Sequence, residues 1–85
     1  MTSGTVVFVS RNQGMIVVQH AQGFAVVELL GSEGEIERGD QLRGDWLALG
    51  GETFWKASEA YDAYFQGCWG NGEAAVAMAR RIGGG

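Results

Sequence analysis

Thr5-Val6-Val7-Phe8-Val9, Met15-Ile16-Val17-Val18 and Phe24-Ala25-Val26-Val27-Glu28-Leu29-Leu30 decide how this chain is read. All three are short apolar runs rich in β-branched residues. Glycine-bearing segments separate them: Arg11-Asn12-Gln13-Gly14, Ala21-Gln22-Gly23 and Gly31-Ser32-Glu33-Gly34. Branched side chains pack well on a pleated surface, and glycine supplies the turns between strands. The rhythm therefore predicts a small antiparallel barrel or sandwich. Thr5–Val9 is apolar at both parities and reads as a strand covered on both faces. Glu28, a charge among apolar neighbours, is expected to point outward at a strand edge.

Downstream, Gln41-Leu42-Arg43-Gly44-Asp45-Trp46 alternates with a period of two. Leu42, Gly44 and Trp46 fall on a buried face and Gln41, Arg43 and Asp45 on a wet one. Gly44 on the inner side is expected to permit a sharp bend. Gly50-Gly51 reads as a hairpin turn, and Glu52–Ala57 as the returning strand. Tyr61–Phe65 stays open between a strand and a helix capped by Ser58. Near the end the period changes. Ala75, Met78, Ala79 and Ile82 form a helical stripe, which predicts one helix over about 72–82. Asn71 is its cap, Glu73 lies at its positive end, Arg80 and Arg81 lie at its negative end, and Gly83 is its stop. A frayed, disordered tail is expected over 83–85.

The 85 residues leave room for one domain, 1–85, with strands within 5–66. A single cysteine, Cys68, excludes an internal disulfide. The start lacks the basic and apolar regions of a secretion signal, and no apolar run is long enough for a membrane helix. A soluble, cytoplasmic protein is expected. Six Lys and Arg against ten Asp and Glu give a net charge of -4, which disfavours strong non-specific binding to phosphate backbones.

Gly4-Thr5-Val6-Val7-Phe8-Val9-Ser10, three polar residues and then Gly14 resemble the first strand and turn of the cold-shock members of the OB-fold family. Ile36-Glu37-Arg38-Gly39-Asp40-Gln41-Leu42 is similar to that family's approach to its fourth strand. The resemblance covers the N-terminal half. It implies an all-β fold, a small five-stranded antiparallel OB-like barrel, here with a short C-terminal α-helix. It also places Phe8 where the family has a base-stacking tryptophan. The family's pair of stacking aromatics on the second strand is replaced here by Met15 and Val17, and the segment from Ser58 to Gly85 lies outside the pattern.

Chemistry is sparse. His20 and Cys68 lie far apart in sequence without a third orienting group, so a catalytic pair is not expected. His20 reads as an exposed turn residue and Cys68 as a small buried filler. One cysteine, one histidine and scattered acids make no closed metal set. The acidic cluster Glu33, Glu35, Glu37 and Asp40 lacks calcium-loop spacing and reads as solvated. Gly67-Cys68-Trp69-Gly70-Asn71-Gly72 matches no phosphate-binding spacing. The expectation is a protein that is not an enzyme and needs no cofactor or metal. It is read as a small binding module for single-stranded RNA or DNA, using Phe8 with Arg11 and Phe54 with Lys56, which share a strand parity. The alternative is a protein-interaction or structural domain, with loop 33–40 and the aromatic segment 54–65 contacting another protein or a second copy.

Overall fold

Two β-meanders close on each other. The computed structural model describes residues 1–31 and 35–84. The first meander is β1 (Thr2–Ser10), β2 (Met15–His20) and β3 (Gly23–Leu29). The second is β4 (Gln41–Gly44), β5 (Gly50–Lys56) and β6 (Glu59–Trp69), followed by α1 (Gly72–Gly84). The closed order is β1-β2-β3-β6-β5-β4, with every pairing antiparallel. The barrel thus has six strands where five were expected.

The extra strand is the segment left open by sequence. Tyr61, Ala63 and Phe65 pack on the inner core while Asp62 and Tyr64 are exposed, a period of two. Ser58 caps nothing. It shares with Ala57 a two-residue turn between the paired residues Lys56 and Glu59, and Ala57 takes a positive φ of 54°. Gly50-Gly51 is correspondingly no turn: Gly50 pairs with Phe65 and Gly51 with Tyr64 at the start of β5. The chain reverses earlier, where the Ala48 N–H donates to the Asp45 carbonyl.

Parity sorts the apolar residues into two layers. Val6, Ile16, Val18, Val27, Leu29 and Leu42 point into the barrel with Trp46, Phe54 and Phe65. Trp46 stacks on Phe65 at 5.6 Å and 6°, and its Nε1–H donates to the Thr2 carbonyl at 2.9 Å. Gly44 is needed beneath that indole, since a Cβ there would stand 3.3 Å from its Cζ2 and Cη2. Room for Trp46, more than a bend, is what the glycine supplies. Ile36, fully buried, fills the barrel from the connection between β3 and β4.

The second layer lies outside. Met15, Val17 and Val26 are buried against Ala75 and Ala79 of α1, which explains why β1 and β2 are apolar at both parities. A bulge between Val6 and Phe8 turns both Val7 and Phe8 toward this outer layer. The helix begins as its sequence predicts, with the Ala74 N–H donating to Asn71 Oδ1 at 3.0 Å. It runs through Gly83 to Gly84 instead of stopping at 82, because glycine in a last turn costs only about 1 kcal/mol. Gly85, in the expected disordered tail, lies outside the described residues. No helix among the described residues is long and apolar enough to cross a membrane.

Candidate functional site

Among the described residues, the barrel has one outer side covered by its own helix and one that no other element covers. An OB-like module is expected to bind on the outer side of its second and third strands, but here α1 lies there and buries Met15, Val17 and Val26. No ligand can reach those positions without displacing the helix.

Nor do the four residues expected to bind nucleic acid form one surface. Phe54 is fully buried between Trp46 and Tyr61, with ring centroids 6.1 and 5.5 Å away, so neither of its faces is open to a base. That position is corrected from binding site to core; sequence parity alone could not say which side of β5 faced inward. Phe8 is half-buried beside α1, and the Arg80 guanidinium lies 5.3 Å from its ring centroid. Arg11 Nη1 donates to the Ile36 carbonyl at 3.2 Å, and its Nη2 lies 4.0 Å from Glu37. Lys56 Nζ lies 2.9 Å from Asp40 Oδ2 and donates to the Glu35 carbonyl at 2.9 Å.

Both cations are thus engaged by the acidic connection that leads into β4. Its Glu33 lies outside the described residues. The electrostatics follow the geometry. Burial tends to raise the Asp40 carboxyl, but the Lys56 hydrogen bond, the Glu37 amide and the Lys56 charge together hold it below its ordinary value. The Asp40 hydrogen bond holds Lys56 above the usual lysine range against some desolvation.

The open side is the outer face of β4, β5 and β6. Arg43 and Trp55 are direct cross-strand partners there, and Trp55 in turn pairs with Ala60. One row along, Thr53 Oγ1 donates to Asp62 Oδ1 at 3.0 Å. Tyr64, 47% exposed, completes the face opposite Gly51 and beside Glu28. Half-buried Trp55 and exposed Tyr64 carried no signal of their own in the sequence, where the site was expected on the opposite parity of β5. The alternation Phe54-Trp55 could have flagged one of the two as facing outward.

A second feature sits at one end of the barrel. His20 Nε2 is 3.2 Å from Cys68 Sγ, although β3 separates their strands. Strands two apart lie roughly 10 Å from each other, so a side chain on the intervening residue would keep the pair from meeting. That residue is Gly23, which pairs with His20. A Cβ on it would stand 3.1 Å from Cys68 Sγ and 2.6 Å from the Trp69 carbonyl. Cys68 is exposed, contrary to its expected role as buried filler, and His20 is partly buried, not a free turn residue. The Gln22 N–H donates to His20 Nδ1 at 3.4 Å. Nε2 therefore carries the hydrogen of the neutral ring and donates it to the sulfur. Desolvation holds His20 below its ordinary pKa and favours that neutral form. No group of three or more His, Cys, Asp or Glu side chains among the described residues is arranged to hold a metal ion.

No protein-family model, curated protein or solved structure matches the chain.

Proposed function

We propose that this protein is a non-catalytic binding module whose partner is a second copy of itself, docked through the open outer face of β4, β5 and β6. The observation that carries this reading is the Arg43–Trp55 cross-strand pair on the side of the barrel that α1 leaves uncovered. Trp, Tyr and Arg dominate binding energy at protein interfaces, and Arg43, Trp55 and Tyr64 bring all three to one face. Their placement suits two-fold pairing. Arg43 lies on the β4 side of β5 and Asp62 on the β6 side. A two-fold axis near Trp55 and Thr53 would carry each Arg43 toward the other copy's Asp62, an isologous and charge-matched contact.

Single-stranded RNA or DNA is the second reading, favoured by an aromatic ring beside a cation on an OB-like barrel. The net charge of -4 and the engagement of Arg11 and Lys56 with the acidic connection weigh against it. Sedimentation equilibrium from micromolar to millimolar protein separates the two. The mass is expected to climb from 9.1 kDa toward twice that value, and Trp55→Ala with Arg43→Glu should hold it at the monomer. A wild-type monomer throughout would sink self-pairing. Quenching of tryptophan emission by a mixed oligonucleotide, reversed by salt, would establish the nucleic-acid reading instead.

A further inference from the structure

We propose that Cys68 is a site of reversible thiol–disulfide exchange with small-molecule disulfides, and that His20 is its positioning residue. The proposal stands on the geometry of the barrel end. Two strands that are not neighbours deliver an imidazole and a thiol to within 3.2 Å, and a glycine between them clears the path. The sulfur remains exposed, so a reagent can reach it.

The hydrogen-bond pattern selects this chemistry over two others. A general base would need an unprotonated Nε2 facing the thiol, yet Nδ1 accepts the Gln22 N–H and leaves the ring hydrogen on Nε2. Metal ligation through Nε2 needs that same lone pair, and no third ligand stands nearby among the described residues. An N–H aimed at sulfur does suit one species, the thiolate, because a donor to an anion forms a strong hydrogen bond. Partial burial tilts the imidazole toward its neutral form. His20 shares a small cavity of about 70 Å³ with Met1, Gly44, Trp46 and Leu47, and Asp45 is the acidic group lining it.

The exchange balances without a further reactant. The Cys68 thiol gives its proton to solvent, and the thiolate attacks one sulfur of the disulfide. A Cys68–sulfur bond forms as the original sulfur–sulfur bond breaks. The departing thiolate takes up a proton. Cys68 is oxidised to a mixed disulfide while one half of the reagent is reduced to a thiol, and excess thiol reverses the step.

The test uses the full chain with glutathione disulfide and with an aromatic disulfide, comparing wild type, His20→Phe and a Cys68→Ser blank. Wild type should gain one glutathionyl group by mass, lost again on addition of dithiothreitol. Without the Nε2–H that holds the exchanging sulfur, His20→Phe should react about threefold more slowly. The wild-type rate should also bend below pH 6.5, where His20 titrates, and the variant's should not. The absence of any adduct would overturn the proposal, as would equal rates and superimposable pH profiles in wild type and His20→Phe. Either failure leaves the proposed self-pairing face untouched, since that face contains neither residue.

Discussion

The rings of Phe54 and Tyr61 stack 5.5 Å apart at 23° within the barrel core, directly across the β5–β6 pairing. Phe54 is sealed from solvent while Trp55, its neighbour on β5, faces outward, so the two rings should differ sharply on mutation. Phe54→Ala removes a fully buried ring and leaves a cavity, a change that costs about 3–5 kcal/mol. A domain this small has about 5–10 kcal/mol to lose. Urea unfolding should therefore show Phe54→Ala close to collapse and Trp55→Ala, at a half-buried position, losing clearly less. A mild Phe54→Ala would mean that the ring is not part of the barrel core.

Lys56 and Asp40 give a pH-dependent contribution whose sign is fixed. The Asp40 carboxyl titrates below its ordinary 3.8 when folded, so its stabilisation is present above that value and disappears as pH falls through the depressed one. Lys56 titrates above its ordinary 10.5, and its share disappears as pH rises through the raised value. The pair is partly exposed, and Lys56→Met should cost no more than about 1 kcal/mol at neutral pH. Paired urea titrations of wild type and Lys56→Met should show the gap narrowing below pH 3.8. Some of it should persist, because Lys56 also donates to the Glu35 carbonyl. A gap that widens with acid would contradict the ion pair.

Much of this fold was legible in the sequence, and the reason is local. The inward placement of Leu42 and Trp46 follows from a two-residue period that needs no knowledge of partners. The double coverage of β1 and β2 follows from apolar residues at both parities, and the helix from its stripe and its Asn71 cap. What was missed depended on pairing. Ala57 and Ser58 form the hairpin turn although alanine at a positive φ is an unusual turn residue, while Gly50-Gly51, which looked like a turn, is strand. The site suffered most. Phe54 and Trp55 are indistinguishable by composition, and only the register against β6 shows which ring is inside. His20 and Cys68 lie 48 positions apart in sequence and meet only because a whole strand carries its glycine between them.

The start of α1 rests on one side chain. Asn71 Oδ1 accepts the Ala74 N–H at 3.0 Å, and the Asn71 carbonyl accepts the Ala75 N–H at 3.1 Å. Asn71→Ala should cost about 1 kcal/mol, whereas Asn71→Asp keeps the acceptor and adds a favourable charge at the positive end of the dipole. Because α1 covers Met15, Val17 and Val26, fraying should also bare apolar surface. Asn71→Ala is therefore expected to bind more of a hydrophobic dye than wild type and to exchange its first-turn amides faster. Equal stability of the alanine and aspartate variants would remove the cap from this account.

His20 titrates in a position where the fold opposes its charge. Desolvation lowers its pKa from the ordinary 6.5, and the Gln22 N–H pointed at Nδ1 leaves no acceptor there for a second ring proton. The unfolded chain accordingly binds a proton before the folded one does. The contribution to stability is fully present above pH 6.5 and declines as pH falls below it. An NMR titration of the imidazole Cε1–H should give a midpoint under 6.5. Leu47, 54% exposed, lines the cavity that dehydrates the ring, so Leu47→Ser admits water and should move that midpoint back toward 6.5. Cys68→Ala serves as the control, since it deletes the sulfur and leaves the cavity wall intact. A midpoint at or above 6.5 in wild type would show that the ring is hydrated and charged, and the neutral donor to sulfur would go with it.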